Sequence, residues 1–195
     1  AMARGLISDA QRPIKFYEGR EDDVIPCIRC FHCLDYSRAP SFACSVNPTV
    51  GREKFLKMIA PEKAGAPKHV VVIGGGPAGM QAAITATQRG HKVTLLEKDD
   101  HLGGKLVFSE QVPFKHDLFR FMSYQIHQLD KLGVDVRLST EATAESVAAM
   151  EPDAVISAVG ADAFILPVPG VDGDNVLTAE EAYGRVKAGQ LLLKV

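Results

Sequence analysis

The stretch HVVVIGGGPAGM at residues 69–80 decides the fold of this 195-residue chain. Its first five residues are mainly apolar and β-branched, which predicts a buried strand. The glycine turn GGGPAG at residues 74–79 follows, and a helical pattern then runs from Met80 to Arg89 and ends at Gly90. A strand, a glycine turn and a helix in this order are what the pyrophosphate of a dinucleotide needs.

The residues of the glycine turn have distinct expected roles. Gly74 permits the tight turn, Gly76 lets the backbone approach the phosphates because it has no Cβ, and Gly79 lets the helix pack closely on the strand. Pro77 suits the first helical turn, where its missing N–H has no partner to lose. The unpaired N–H groups there and the helix macrodipole favour an anion. The predicted cofactor-binding residues of the turn are Gly74, Gly76, Pro77, Ala78 and Gly79.

A second strand supplies the context that a glycine motif alone lacks. Residues 92–97, KVTLLE, have a strand pattern, and Glu97 is an acid about 20 residues after the glycine turn. Such a carboxylate accepts hydrogen bonds from the ribose hydroxyls of an adenosine. A glycine turn with no ligand is the alternative, but the order of strand, turn, helix and acid favours a nucleotide site.

The composition is that of a soluble globular protein, with 46% hydrophobic and 24% charged residues. The length allows one sizeable core, or one core with a small appendage. A net charge of −2 without a basic block argues against nucleic acids and anionic membranes as partners. No apolar run approaches the roughly 20 residues of a membrane span, and no signal peptide opens the sequence, so we expect a cytoplasmic protein.

All four cysteines fall in one window with the spacing C-x2-C-x2-C-x10-C. This spacing suits a [4Fe–4S] cluster, in which each iron takes one cysteine, better than a zinc ion, which more often uses two separated CxxC pairs. Arg29 is expected either to tune such a cluster or to be a solvated surface residue, and His32 is not expected to be a ligand. The predicted metal ligands are Cys27, Cys30, Cys33 and Cys44.

The rest of the nucleotide-binding region alternates strand and helix patterns. Residues 98–105 form a polar turn that is expected either to meet a second part of the cofactor or to be an ordinary surface loop. An apolar stripe over Pro113–Leu132, which includes Phe114, predicts an amphipathic helix. Further strands are predicted at Val134–Leu138, at Ala154–Gly160 (a buried strand) and at Leu191–Val195, and further helices at Glu145–Met150 and Thr178–Val186.

The segment before the cysteines is too short to fold alone. Residues 1–7 are apolar enough to belong to the end of a buried strand, and Arg12–Glu18 is predicted to be a short helix that ends at Gly19. One strand end and one helix cannot bury an apolar face by themselves. We therefore expect this segment to be the tail of a larger body, and we expect the chain to be cut at both ends.

Four stretches together resemble the multidomain flavin reductases of the Old Yellow Enzyme class. Members of that class include 2,4-dienoyl-CoA reductase, trimethylamine dehydrogenase and bacterial enoate or bile-acid-type reductases. The resemblance covers most of the chain in the family's order, and its cysteine signature and dinucleotide fingerprint are more specific together than either is alone. The stretches are MARGLISDA at residues 2–10, EGREDDVIPCIRC at 18–30, CSVNPTVGRE at 44–53 and HVVVIGGGPAGM at 69–80.

The resemblance implies an α/β fold with a particular domain order. Residues 1–26 would be the incomplete tail of a TIM barrel that binds FMN, and residues 27–66 would be an iron–sulfur segment with its linker. Residues 67–195 would be a Rossmann-like domain that binds FAD or ADP and is incomplete at its C-terminal end. In the family a second nucleotide domain, for NAD(P)H, is inserted into this one.

The resemblance also implies the chemistry. Electrons from NAD(P)H would pass through FAD and the [4Fe–4S] cluster to FMN, which reduces an activated C=C bond of an enoate or a 2,4-dienoyl-CoA. The small-molecule substrate would bind to domains outside this sequence, so no catalytic residue is expected here, and a homo-oligomer or a partner chain is possible. Two alternatives are a non-catalytic ADP-binding assembly module and an electron-transfer subunit of a multichain oxidoreductase.

Several residues match positions of the family's cofactor sites. Arg4 falls where the family places an arginine on the FMN phosphate, although one phosphate contact without a flavin pocket gives little affinity. Gly5 stands where a proline is expected, and the x10 gap before Cys44 is slightly shorter than usual. On the adenine-nucleotide or flavin side the matching residues are Glu97, Lys98, Gly104, Lys105 and Ala142.

Overall fold

The computed structural model describes residues 2–35, 42–53 and 62–190, and its centre is a four-stranded parallel sheet in the order β3-β2-β1-β4. Val71 in β1 pairs with Thr94 in β2 and with Val155 in β4. Parallel strands in this order form half of a doubly wound nucleotide-binding fold, so the predicted α/β class is confirmed. The strands are β1 (His69–Ile73), β2 (Lys92–Leu96), β3 (Asp135–Arg137) and β4 (Ala154–Ser157).

Helices cover both faces of the sheet. The described α-helices are α1 (Ala3–Ser8), α2 (Arg12–Tyr17), α3 (Pro77–Gln88), α4 (His116–Lys131), α5 (Ala144–Ala148) and α6 (Ala179–Lys187). Short 3₁₀ helices lie at Glu21–Asp23, His32–Leu34, Gly104–Gln111 and Pro113–Lys115. No described helix has the length and apolarity needed to cross a membrane.

The core follows from the alternation of side chains along the strands. On one face, Val70 and Leu95 pack with Met80 of α3 and Leu129 of α4. On the other face, Val71 belongs to a smaller cluster with a residue of α5. The start of α3 is thereby held at the carboxyl end of β1, where open α/β sheets bind their ligands.

The predicted amphipathic helix is present with a later start. Pro113–Lys115 form a 3₁₀ turn, and α4 begins at His116. Phe114 was expected in the apolar stripe, but its side chain is 63% exposed. The 3₁₀ turn rotates Phe114 away from the core-facing side of α4, which explains the difference.

The fourth strand differs from its predicted environment. The expected strand over Ala154–Gly160 is observed at Ala154–Ser157, but all four residues are exposed rather than buried. Within the described residues β4 pairs only with β1 and forms an edge of the sheet. Apolar composition predicted the strand correctly, whereas burial depends on neighbours that the described part of the chain does not place over β4.

The N-terminal segment is helical, so the expected strand end at residues 1–7 is wrong. A short apolar run does not distinguish a strand from a helix. Asp9 accepts a hydrogen bond from the backbone N–H of Ile25 at 3.0 Å, and Asn47 donates one to the carbonyl of Ile7 at 2.9 Å. These contacts join the segment to the residues on both sides of the cysteine window. The predicted strand at Leu191–Val195 lies outside the described residues.

Candidate functional site

The glycine turn adopts a shape that needs glycine at two of its positions. Gly74 has a φ of +104°, and a Cβ there would collide with the carbonyl of Ala158. A Cβ on Gly79 would collide with the carbonyl oxygen of Gly74. The first turn of α3 therefore packs directly on the turn after β1, as predicted for these two glycines.

Gly76 differs from the other glycines because a Cβ there would meet nothing within 4 Å. It is the N-cap residue of α3, Pro77 occupies the first turn, and no side chain caps the helix. The first N–H groups of α3 are therefore free of side-chain acceptors and open onto solvent-accessible space. This is the geometry that favours an anion at a helix N-terminus.

A cleft of about 880 Å³ lies above the turn at the carboxyl ends of the strands. Gly79 does not line the cleft, because it is buried against Gly74. Arg4 does not line it either, and its guanidinium lies 4.9 Å from the centre of the Phe31 ring. The structure thus brings together most of the residues predicted to bind a nucleotide. Those that line the cleft are Gly74, Gly76, Pro77, Ala78, Glu97, Lys98, Gly104, Lys105 and Ala142.

Glu97 is held rigidly in the wall of this cleft. Its carboxylate is buried, and its two oxygens accept hydrogen bonds from the backbone N–H groups of Gly75 at 2.5 Å and Asp99 at 2.9 Å. A Cβ on Gly75 would lie only 2.9 Å from one of these oxygens. Carboxylate oxygens have further lone pairs, so the group keeps acceptor capacity toward the cleft. Gly75 had no role in the sequence prediction, and its only signal was its place in the middle of three consecutive glycines.

The turn at residues 98–105 returns to the glycine turn and borders the cleft. The N–H of Gly103 donates to the carbonyl of Gly75 at 2.9 Å. Gly104 approaches so closely that a Cβ there would lie 3.1 Å from the Cα of Gly76. Of the two alternatives left open by the sequence, this contact favours a part in the site over an ordinary surface loop.

Helix α6 closes one end of the cleft. Lys105 forms an ion pair with Glu180 at 2.5 Å and donates a hydrogen bond to the carbonyl of Ala161. Phe108 stacks on Tyr183 with ring centres 4.9 Å apart and planes 11° from parallel. Sequence reasoning missed these partners of α6, because no local pattern connects residues so far apart along the chain.

The cysteine loop has unusual backbone geometry. Arg29 and Phe31 both have positive φ, at 52° and 58°, so the chain coils tightly between the first three cysteines. All four cysteines are free, and the thiol of Cys30 donates to the hydroxyl of Ser45 at 3.3 Å. Burial raises the pKa of the Cys44 thiol above its ordinary value, and hydrogen bonds from the backbone N–H groups of Val46 and Asn47 oppose this only in part.

The side chains of the cysteine loop suit a metal cluster better than a single metal ion. Within the described residues, no three or more Cys, His, Asp or Glu side chains form a set that could hold a single metal ion. In a [4Fe–4S] cluster each cysteine binds a different iron, so the sulfurs need not converge on one point. Four free thiols within one stretch of 18 residues are the donor chemistry of such a cluster.

Arg29, between the first two cysteines, is tied to the nucleotide-binding domain. Its guanidinium forms an ion pair with Asp117 in the first turn of α4. The sequence had allowed either a cluster-tuning residue or a solvated arginine, and neither reading foresaw a partner 88 positions away.

Comparison with known proteins shows that this chain is similar to redox enzymes. The profile of the pyridine nucleotide-disulphide oxidoreductases matches residues 68–191. NADH oxidase of Thermoanaerobacter brockii is 42% identical over 178 residues, which are 90% of this chain and 27% of that protein. The multifunctional alkene reductase/demethylase OYE of Caballeronia cordobensis is 33% identical over 171 residues, which are 88% of this chain and 25% of that protein.

Solved structures agree with the sequence comparison. The complex of 2-naphthoyl-CoA reductase with 2-naphthoyl-CoA superposes with a TM-score of 0.85 at 34% identity, over 98% of this chain and 28% of that one. The chain therefore spans little more than a quarter of the length of the curated relatives it matches. The resemblance to flavin reductases of the Old Yellow Enzyme class is confirmed.

Proposed function

Since the chain belongs to the pyridine nucleotide-disulphide oxidoreductase family, we propose that it is the electron-relay portion of an NAD(P)H-dependent flavin and iron–sulfur oxidoreductase. The observation that carries the proposal is the cleft in which the uncapped start of α3 and the buried carboxylate of Glu97 share one wall. Four free cysteines on the same chain would supply a second site. A flavin nucleotide and a [4Fe–4S] cluster are the pair of groups that these two sites suit.

The nucleotide would be held by backbone and carboxylate together. The open N–H groups at the start of α3 would bind the pyrophosphate, and the lack of a side chain at Gly76 would let it come close. Glu97 would accept hydrogen bonds from the ribose hydroxyls, because its orientation is already set by two backbone N–H groups. Lys98, Gly104, Lys105 and Ala142 would line the rest of the nucleotide, which is FAD or, alternatively, ADP.

The cluster would be held by Cys27, Cys30, Cys33 and Cys44. Their spacing, their free thiols and the tight coil of the backbone at Arg29 and Phe31 support this assignment. When bound, a flavin exchanges two electrons as a hydride and a cluster exchanges one electron at a time. The task of this chain is to hold each group in a fixed place.

The activity of a longer protein follows as part of the same proposal. Electrons from NAD(P)H would pass through FAD and the cluster to FMN, which would reduce the activated C=C bond of an enoate or enoyl-CoA substrate. The relative from Caballeronia cordobensis, an alkene reductase/demethylase, supports this class of substrate. Residues 1–26 would then adjoin the FMN domain, with Arg4 toward its phosphate, and the small-molecule substrate would bind outside this chain.

A visible spectrum of the chain after anaerobic reconstitution tests the proposal. We expect flavin absorption together with a broad band that dithionite bleaches, and iron and acid-labile sulfide in equal amounts. Denaturation followed by chromatography identifies the released nucleotide. A protein with the cluster but with ADP in place of FAD would favour the non-catalytic assembly module, and a colourless zinc protein would overturn the redox role altogether.

A further inference from the structure

Asp23 connects the cysteine loop to the nucleotide-binding domain. It ends the 3₁₀ helix at Glu21–Asp23, shortly before Cys27, and its side chain is only 8% exposed. One oxygen accepts a hydrogen bond from Gln128 at 3.0 Å and lies 3.3 Å from the ring of His127. The other forms an ion pair with Lys131. All three partners belong to the last turns of α4, so one carboxylate ties the 3₁₀ turn to that end of the helix.

The charge of this carboxylate is stabilised strongly. Burial by itself would raise the pKa of Asp23, but hydrogen bonds from Lys131 and Gln128, the charge of Lys131 and a hydrogen bond from Arg20 together hold it well below its usual value. If the 3₁₀ turn moved away from α4, the buried carboxylate would be left unpaired, which strongly disfavours such a movement. The end of α4 and the 3₁₀ turn are therefore kept in one relative position.

The same helix also touches the start of α3. Gln125 is fully buried, and its side-chain amide donates to the carbonyl of Pro77 at 3.0 Å in the first turn of α3. At the other end of α4, Asp117 forms the ion pair with Arg29 inside the cysteine loop. Helix α4 thus contacts Arg29 of the cysteine loop at its start, the proposed pyrophosphate site in its middle and the 3₁₀ turn that leads into the cysteine loop at its end.

We propose that Asp23 is a positioning residue that fixes the cysteine loop against α4 and thereby sets the separation between the cluster and the nucleotide. The inference rests on the proposed function, because it assigns a purpose to a contact between the two proposed sites. Asp23 touches neither group. Its effect passes through α4, whose Gln125 holds the turn on which the nucleotide would lie.

Two variants and a matched control test this role in the full 195-residue chain. Asp23→Asn keeps the size of the side chain and removes its charge, and Lys131→Gln removes the opposite charge from a residue that is half exposed and tolerant of change. Asp22→Asn removes the neighbouring, exposed carboxylate and serves as the control. Reciprocal exchange, Asp23→Lys with Lys131→Asp, tests rescue of the pair.

Electron transfer is measured as the rate at which the cluster bleaches after rapid reduction of the flavin. We expect Asp23→Asn and Lys131→Gln to retain both groups and to lose part of the rate of this step, because electron transfer slows as the distance between the two groups grows. Asp22→Asn is expected to match the unmodified chain, and the reciprocal exchange to recover part of the rate. An unchanged rate in Asp23→Asn with both groups bound would overturn the inference.

Amide hydrogen exchange separates this inference from the proposed function, because it needs neither group to be bound. We expect faster exchange at residues 21–30 and at the end of α4 in Asp23→Asn, but not in Asp22→Asn. If the chain binds neither flavin nor cluster, the proposed function is lost, whereas the exchange data still report on the contact. Exchange that is identical in the two variants would show that Asp23 does not hold the two parts together.

Discussion

The carboxylate of Glu97 accepts a hydrogen bond from the backbone N–H of Gly75 at 2.5 Å, and this bond joins the end of β2 to the turn after β1. The acid and the glycine turn are therefore one structural unit before any ligand arrives. A group whose orientation is already set loses little entropy when it binds, so the contact would favour the ribose that we propose for this cleft.

Replacement of Glu97 separates the two proposed sites. We expect Glu97→Ala to weaken binding of ADP by roughly 10- to 100-fold, because hydrogen bonds to a charged group contribute about 1.5–3 kcal/mol each. Isothermal titration with ADP measures this change, and the iron content is expected to stay the same. Glu141→Gln, at an exposed acid on the rim of the same cleft, provides the comparison. Equal losses in both variants would mean that Glu97 acts only through its charge.

Two alanine substitutions in the glycine turn distinguish a ligand role from a packing role. Gly76 has ordinary φ and open space at its Cβ position, so Gly76→Ala is expected to fold normally and to lose at least tenfold in nucleotide affinity. Gly79→Ala places a methyl group against the carbonyl of Gly74 and is expected to destabilise the fold by about 1–3 kcal/mol. Thermal unfolding and nucleotide titration are measured on both. A Gly76→Ala variant with unchanged affinity would place the phosphates elsewhere.

Substitution of a cysteine is expected to have the opposite effect to that of Glu97. Cys30→Ser removes one thiolate of the proposed cluster, so iron and sulfide content should fall while ADP affinity stays within about twofold. His32 lies between two of the cysteines but is not a proposed ligand. The His32→Ala variant should therefore keep its iron. Loss of both iron and nucleotide from Cys30→Ser would contradict the division into two sites.

The pairing of Asp23 makes stability depend on pH. Its pKa in the folded protein lies well below the value of about 3.9 for an unfolded chain. Its contribution is therefore complete above about pH 5 and is lost as the pH falls toward the folded value. We expect Asp23→Asn to lower the free energy of unfolding by roughly 1–3 kcal/mol at pH 7.

Urea unfolding of both proteins from pH 7 to pH 2 checks this dependence. The difference between wild type and Asp23→Asn should narrow steadily below pH 5, because protonation of Asp23 removes the charge that the variant already lacks. A difference that stays constant over this range would show that the stabilisation does not come from the ionised carboxylate.

Local patterns predicted most of the residues that meet in the cleft above the glycine turn, because these parts follow one another along the chain. The strand, the glycine turn and Glu97 lie within 29 residues, and each has a conformational requirement that only a few residue types meet. The role of Gly75 was missed because it depends on the path of the Glu97 side chain, which a linear motif does not describe.

Contacts between distant segments could not be predicted in the same way. Asp23 and Lys131 are 108 positions apart, and each has the composition of an ordinary surface residue in its own stretch. The same holds for Arg29 and Asp117. Burial of β4 was predicted wrongly for a related reason, since apolar residues indicate a strand but do not say what lies beside it.

The exposed edge of β4 has a consequence for the colloidal behaviour of the chain. Val155 and Ile156 are 48% and 36% exposed, and no described residue pairs with the outer side of this strand. Free N–H and C=O groups beside apolar side chains are a template for pairing between molecules. We thus expect the chain to form oligomers by edge pairing in concentrated solution. The Val155→Lys variant should remain monomeric under the same conditions, as judged by the particle size from light scattering.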